Sequence, residues 1–407
     1  MHFLESDAAV LTFACRAIMV SPMKTKTALS FEETFSFVDN VFGHDMHAKR
    51  VVSLSNATVG VINAAALAIH LIGEGLAQAR ELTRKHCIKQ VDRLFSNSKL
   101  QVWALFAHWV PYIVAERKRI VVAMDWTEFD ADDQSAIVLS MVTGHGRSTP
   151  LLWKTVKKST LKGMRNGYED EVLRRLWEVL PEGVSVTIVA DRGFGDHKLY
   201  ELLAQELGFG YIIRFKDNIY VTDEKGECKQ ARGWVPSNGR AKVIRQAQVT
   251  EQAYLVPTVV CVKKKDMKDA WCLAVSDPEA KGAEIINLYA KRWGIETSFR
   301  DIKDYKFGMG MAHMHTRSTD RRDRLFLVSA LAIALLTLLG AAGDAVGLER
   351  TIKANTSKSR TYSFFRQGCI YYNLLPGMRE EWATPLMAKF YELLHEHSVF
   401  RNVFGII

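Results

Sequence analysis

The chain has 407 residues, of which 48% are hydrophobic and 24% charged, enough apolar material for two or three domains with buried cores. Its formal charge is +9 and its isoelectric point is near 9.1, which suits a polyanionic partner better than a basic one. Six cysteines show neither a CxxC pair nor zinc-ligand spacing, which argues against a zinc module and predicts a reduced, cytoplasmic chain.

The N-terminal region, assigned here as residues 1–110, is predicted to be helical. Short helices are expected at 61–70, 75–80 and 85–94. The last helix places apolar side chains on one side and basic ones on the other, namely Arg84, Lys85, Lys89 and Arg93. This pattern predicts a DNA-binding helical domain, and a basic surface helix without a ligand is the alternative.

Two apolar runs rich in β-branched residues each end on an aspartate. Residues 119–126 include Asp125 followed by Trp126, and residues 184–191 end on Asp191 before a Gly-rich turn. Both runs are typical of buried strands in an α/β sheet, where ligands bind at the carboxyl ends. The alternative is that each aspartate is an ordinary turn residue or helix N-cap.

The order of elements after residue 119 predicts a mixed sheet with helices on both faces. Strands are expected at 119–126, 135–143, 149–157, 184–191 and 209–215, and helices at 167–180 and 197–207. Acids at 130, 132 and 133 are interpreted as a solvated turn. Alternating apolar residues and turn signals over about 217–275 predict a β-rich insertion that ends near Trp271.

Residues 289–303 combine one acid with a group of cations. If this stretch is one helix, Arg292, Glu296, Arg300 and Lys303 lie within about 80° of one another. Such a strip could hold a metal ion and grip phosphates on either side. The alternative is an amphipathic helix with i,i+4 ion pairs worth only about 0.3–0.5 kcal/mol each.

The segment 325–343 is apolar enough to pass for a membrane span. Because it follows the acid-bearing helix closely and no second span is evident, we expect a helix buried against the sheet, and no membrane partner. Residues 346–407 are basic and are predicted to be a helical C-terminal region that contacts DNA or a second protomer.

The spacing of four residues resembles the signature of a known family. Tyr289, Arg292, Glu296 and Lys303 are similar to the Y-(2)-R-(3)-E-(6)-K pattern of family four of bacterial insertion-sequence transposases. The resemblance covers roughly residues 45–345 and looks closest to the branch of the tetracycline-resistance transposon. It includes the strand that ends in Asp-Trp, the Asp-x-Gly-Phe turn and the stretch 308–323.

This resemblance implies a DDE recombinase. The expected fold is α/β, with a ribonuclease H-like catalytic core at 111–345, a β-rich insertion at about 217–275 and a helical domain before it that binds the transposon ends. By the same resemblance, Asp125, Asp191 and Glu296 would be the catalytic and metal-binding triad. Asp125 would bridge two Mg²⁺ ions, for which Mn²⁺ could substitute, and the other two acids would each hold one.

The resemblance also implies DNA contacts near the scissile bond. Tyr289, Arg292 and Lys303 would hold the DNA backbone, with Arg300 on the same strip. Trp271 lies where relatives stack a flipped base. The alternative for Trp271 is an ordinary core tryptophan on a strand.

The implied activity is cut-and-paste DNA transposition. Nicking by water would free a 3′-hydroxyl, which would form a hairpin by attacking the opposite strand, and the reopened end would join target DNA. The expected partners are inverted-repeat DNA, target DNA and a second copy in a homodimer, in the bacterial cytoplasm at the nucleoid. Two alternatives are a ribonuclease H-fold metal-dependent nuclease and an inactive DNA-binding repressor derived from a transposase.

Overall fold

A mixed β-sheet forms the centre of the molecule. The computed structural model describes residues 29–305, 308–395 and 403–405. Within them, ten strands belong to this sheet: β1 Arg119–Phe129, β2 Gln134–Val142, β3 Ser148–Lys157, β4 Ser185–Ala190, β5 Gly210–Phe215, β6 Tyr220–Thr222, β7 Cys228–Gln230, β8 Lys242–Val249, β9 Tyr254–Val262 and β10 Trp271–Val275.

The first five strands confirm the predicted order of elements. They lie in the order β3-β2-β1-β4-β5. β2 is antiparallel to both β1 and β3, whereas β4 is parallel to both β1 and β5. β1 continues three residues beyond the predicted end at 126, because its pairing with β2 extends to Phe129. Asp125 therefore lies inside this strand.

The segment after β5 contains the predicted strands. β10 pairs antiparallel with β5, and the sheet continues in the order β10-β9-β8-β6-β7. The insertion thus extends the central sheet, and it places β10, which begins at Trp271, beside β5, the neighbour of the strand that leads to Asp191.

Helices precede, interrupt and follow the strands. Their bounds are α1 Phe31–Phe42, α2 Ala48–Ala64, α3 Ile69–Arg80, α4 Arg84–Phe95, α5 Val102–Val114, α6 Arg165–Val179, α7 His197–Glu201, α8 Gly282–Ala290, α9 Trp293–Lys303, α10 Thr319–Ala345, α11 Glu349–Ile352, α12 Phe364–Leu374 and α13 Glu380–His395. A π-helical turn, Leu202–Glu206, extends α7 over most of the predicted helix 197–207.

The N-terminal helices confirm one prediction and correct another. α4 matches the predicted helix 85–94, with Val91 and Leu94 buried. The predicted helix 61–70 is wrong, because α2 ends at Ala64 and the chain turns by 93° into α3. Ala65 adopts φ 48°, and Leu67 is fully buried with its N–H bonded to the Met309 carbonyl at 2.9 Å. This long-range contact breaks a run whose local composition favours a helix. Residues 1–28 of the predicted N-terminal domain lie outside the described residues.

Alternation along the strands produces two cores, one on each face of the sheet. On β1, Val122 and Met124 face the larger core, whereas Val121 and Ala123 face a smaller one covered by α8 and α9. α10 belongs to the larger core. It is the one helix in the described ranges that is long and apolar enough by itself to cross a membrane, and 94% of its most apolar window is buried inside the fold. The prediction of a buried core helix is confirmed.

Asp132 corrects the prediction of a solvated acidic turn. Its side chain is only 7% exposed, forms an ion pair with the fully buried Arg322 of α10, and accepts a hydrogen bond from the Thr316 N–H at 3.0 Å. Asp130 does lie at the surface, where it pairs with Lys158. Local polarity could not separate these two acids, because the partner of Asp132 lies 190 residues away.

Candidate active site

The strand register places the two aspartates side by side. On the parallel strands β1 and β4, Met124 pairs with Ala190. Asp125 and Asp191 are the next residues along these two neighbouring strands, so their backbones are about 5 Å apart. Asp125 follows Ala123 by two residues and Asp191 follows Val189 by two. Because Ala123 and Val189 face α8 and α9, the pleat directs both carboxylates toward these helices.

The predicted helix over 289–303 is interrupted. α8 ends at Ala290 and α9 begins at Trp293, and the join is made by i→i+3 hydrogen bonds, from the Arg292 N–H to the Tyr289 carbonyl and from the Ile295 N–H to the Arg292 carbonyl, both 3.0 Å. Tyr289 therefore belongs to α8 and Glu296 to α9, while the guanidinium of Arg292 lies 5.7 Å from the centroid of the Tyr289 ring. On the apolar side of α9, Ile295 and Ile302 are buried.

Arg292 connects the acid of α9 with the acid of β1. Its Nη2 donates to Oε1 of Glu296 at 2.7 Å and its Nη1 lies 3.4 Å from Oδ2 of Asp125. The side chain of Arg292 is 8% exposed, whereas those of Asp125 and Glu296 are 22% and 35% exposed. The two acids therefore remain open to solvent around a largely buried cation.

Burial and charge act in opposite directions on Asp125. Desolvation raises the pKa of its carboxyl to about 6, Arg292 and the Trp126 N–H lower it, and the charges of Glu296 and Asp191 raise it further. Asp191 is thus close enough for its charge to be felt at Asp125. The Asp191 side chain also accepts a hydrogen bond from the Arg192 N–H, which fixes it at the start of the following turn.

The other two cations of the predicted strip have different surroundings. Lys303 donates to the carbonyl of Glu128 at 2.6 Å and to Oγ1 of Thr127 at 3.1 Å, which brings its charge to the same strand as Asp125. Burial lowers the pKa of Lys303. Arg300 is exposed to solvent on the outer surface of α9.

Trp271 and Tyr289 form an aromatic pair beside the acids. Their ring centroids are 4.9 Å apart in an edge-to-face arrangement. Tyr289 is 3% exposed, and burial raises its pKa to about 12. Trp271 is half-buried at the start of β10 and packs against the smaller core. Trp271 thus packs against Tyr289, and part of its side chain remains exposed to solvent.

Two features of this region were missed by sequence reasoning. A cleft of about 500 Å³ next to the turn after Asp191 is lined by Arg192, Arg214 and Lys216, among others. Trp293, between Arg292 and Gly294, is 62% exposed. The basic residues of the cleft come from the turn after β4 and from the end of β5, so no sequence spacing reveals them. Trp293, in contrast, could have been found from the sequence, because it is an apolar residue on the polar side of α9.

The donor set suits a hard divalent cation. Three carboxylates with open positions for water and phosphate oxygens are what Mg²⁺ prefers. In the described part of the chain, no three His, Cys, Asp or Glu side chains are close enough to form a ready-made metal site. The guanidinium of Arg292 stands between two of the three carboxylates, so their oxygens face a cation already.

A five-stranded core in the order 3-2-1-4-5, with neighbouring acids on β1 and after β4 and a third acid on a helix, is the arrangement typical of the ribonuclease H-like class. The family model for the transposase DDE domain matches residues 116–335, more than half of the chain. The protein therefore belongs to the DDE transposases, which are polynucleotidyl transferases that act on transposon-end DNA. A comparison with curated proteins finds no match.

Proposed function

We propose that this DDE transposase moves its element by cutting both strands at the element's ends and joining them to new DNA. Two observations support the proposal: the strand register sets Asp125 beside Asp191, and the guanidinium of Arg292 joins Asp125 to Glu296, although the three acids come from distant parts of the sequence. A site for hydrolysis or transfer at phosphorus needs such acids within reach of one phosphate.

The three acids are proposed as the ligands of two Mg²⁺ ions, for which Mn²⁺ could substitute. Bound Mg²⁺ would activate the attacking water or 3′-hydroxyl and stabilise the leaving oxygen. Asp125 lies beside Asp191 in the sheet and shares the Arg292 guanidinium with Glu296, which suits a ligand that bridges the two ions. Arg292 would then turn from the carboxylates to a phosphate of the DNA, for which a guanidinium is equally well shaped.

The aromatic pair supports a hairpin intermediate. A hairpin at the DNA end requires unstacked bases, and an aromatic surface compensates for the lost stacking by about 1–3 kcal/mol per base. Trp271, which is half-buried and in edge-to-face contact with Tyr289, is proposed for this role. The finer assignment to family four, near the tetracycline-transposon branch, rests on the Tyr289, Arg292, Glu296 and Lys303 spacing.

The helical region before the sheet is proposed to bind the inverted repeat. A groove of about 520 Å³ between α2 and α4 is lined by Arg50, Lys89 and Arg93, and no acidic residue lines it. Cations along one groove neutralise successive phosphates. The predicted boundaries, 1–110, 111–345 and 346–407, together with a homodimer and a place at the bacterial nucleoid, remain part of this proposal.

The test is a strand-transfer assay. Purified protein is incubated with Mg²⁺, a linear duplex carrying the element's end with a free 3′-hydroxyl, and a supercoiled target plasmid. Joined product supports a transposase with strand transfer. A second reaction uses an uncut end as the substrate. Cleavage of that end without any joining would favour the metal-dependent nuclease, and end binding without cleavage would favour the repressor.

A further inference from the structure

One face of α9 is bonded to the turn between β2 and β3, residues 143–147. Oγ1 of Thr297 donates to the Gly146 carbonyl at 2.9 Å, and Oγ of Ser298 accepts from the Ser148 N–H at 3.0 Å. Asp301, one turn further along, forms a two-point ion pair with Arg147, in which Nε contacts Oδ2 and Nη2 lies 3.3 Å from Oδ1.

This contact lies behind the candidate active site. Residues 294, 297, 298 and 301 have the spacing of one helix face, and Glu296 lies about 150° away around α9. At Gly294, an added Cβ would be 3.1 Å from the carbonyl of Arg147, so the helix backbone lies directly against the turn. The turn therefore supports the helix from the side opposite to the acids.

The same turn is tied to the strand that carries the first aspartate. β2 pairs with β1 along its length, with Val138 opposite Asp125. The turn is also held from outside, because a ring nitrogen of His145 lies 2.9 Å from the Val403 carbonyl and Oγ1 of Thr149 donates to the Phe404 carbonyl at 3.2 Å. The position of Glu296 relative to Asp125 thus depends on how α9 sits on this turn.

The ion pair is built to hold a fixed distance. The side chains of Arg147 and Asp301 are 19% and 9% exposed, and a bidentate guanidinium–carboxylate pair restrains both separation and orientation. Loss of either partner would leave a charge uncompensated in a mostly buried place, so α9 would shift to expose it.

We infer that Arg147 and Asp301 are positioning residues, which fix α9 so that Glu296 faces Asp125 and Asp191 at the separation needed for metal binding. The inference rests on the proposed role of Glu296 as a metal ligand. Neither residue touches DNA or metal in this scheme. A shift of Glu296 by about 1 Å is expected to lower the rate of cleavage by about 100-fold.

The test compares Asp301→Asn with the wild-type protein, each bound to end DNA. Mn²⁺ binding is measured by electron paramagnetic resonance in the complex, together with kcat and KM of nicking and with DNA affinity. We expect Mn²⁺ affinity to fall by about 10–100-fold and kcat to fall, with DNA affinity unchanged. Asp301→Glu, which keeps the charge, is expected to recover most of the Mn²⁺ affinity.

The matched control is Asp132→Asn, which breaks the more deeply buried ion pair with Arg322. It should lower the unfolding temperature and leave Mn²⁺ affinity unchanged. If Asp301→Asn does not fold, Ser298→Ala removes a neighbouring anchor and should weaken Mn²⁺ binding in the same direction. Wild-type Mn²⁺ affinity and kcat in a folded variant of either kind would overturn the inference alone. A wild-type complex that neither binds Mn²⁺ nor nicks DNA would overturn the proposed function as well.

Discussion

Glu296 and Asp125 share one guanidinium group. Arg292 donates to Glu296 at 2.7 Å and lies 3.4 Å from Asp125, although the aspartate is 167 residues earlier in the chain. The guanidinium compensates the negative charge of two carboxylates in a partly buried site. It also lies where the divalent ions are proposed to bind. Removing this cation is the most direct way to examine the site.

Arg292→Ala should make the free protein more responsive to Mg²⁺. Without the guanidinium, the pKa of Asp125 rises and the acids repel each other, which costs about 1 kcal/mol because both are partly exposed. Added Mg²⁺ should relieve that repulsion. Thermal unfolding with and without Mg²⁺ measures the difference, and Arg300→Ala, at an exposed position of the same helix, is the control. Equal Mg²⁺ shifts in both variants would contradict the competition between Arg292 and the metal.

Glu296→Gln should abolish cleavage and keep end binding. The amide has the size of the carboxylate but is a poor ligand for Mg²⁺, so the rate should fall by more than the 10–100-fold typical of residues behind the ligands. Gel assays of nicking and of end binding measure the two effects. Glu284→Gln, an exposed acid on α8, should cleave like the wild type. Cleavage by Glu296→Gln at the wild-type rate would refute the assignment.

Trp271→Ala should impair hairpin formation more than first-strand nicking. The indole is proposed to stack on an unpaired base, which is needed only after the first cut. Trp271→Phe, which retains an aromatic ring next to Tyr289, should lose less. The amounts of nicked and hairpin product from a labelled end give the ratio. Equal loss at both steps would show that Trp271 serves only the packing seen in the free protein.

Lys89→Ala should reduce the salt dependence of end binding. If the groove between α2 and α4 contacts phosphates, loss of one cation lowers the slope of log affinity against log salt by about one. Fluorescence anisotropy at several salt concentrations provides the slope. Lys225→Ala, at an exposed turn in the insertion, should leave it unchanged. An unaltered slope for Lys89→Ala would argue that the groove does not meet the DNA backbone.

Asp323→Asn should flatten the dependence of stability on pH. Asp323 is half-buried at the start of α10 and accepts from the Thr155 N–H at 3.0 Å, and desolvation of its carboxyl raises its pKa to about 7. The folded state therefore holds a proton that the unfolded state releases near pH 4, so stability falls as pH rises from about 4 to 7, by at most about 1.4 kcal/mol per unit. Asn keeps the acceptor without the charge. Urea unfolding at pH 5 and 8 should show a smaller difference for the variant.

Much of the architecture was present in local patterns. Apolar β-branched runs predicted β1 and β4, the composition of α10 predicted a buried helix, and alternating residues predicted the strands of the insertion. These features follow from the periodicity and composition of apolar side chains, which are local properties of the sequence. The spacing that joins Tyr289, Arg292, Glu296 and Lys303 likewise belongs to the sequence alone.

Contacts between distant parts of the chain decided the rest. The turn at Ala65 and the burial of Asp132 both arise where a partner more than 100 residues away overrides local preference. The register of β1 on β4, which places Asp125 beside Asp191, is likewise a property of strand pairing. The sequence by itself determined which acids and cations the site contains; only the tertiary structure decided that Arg292 lies between two of those acids and that a turn supports Glu296 from behind, because docking free energy depends on surfaces that meet only in the folded chain.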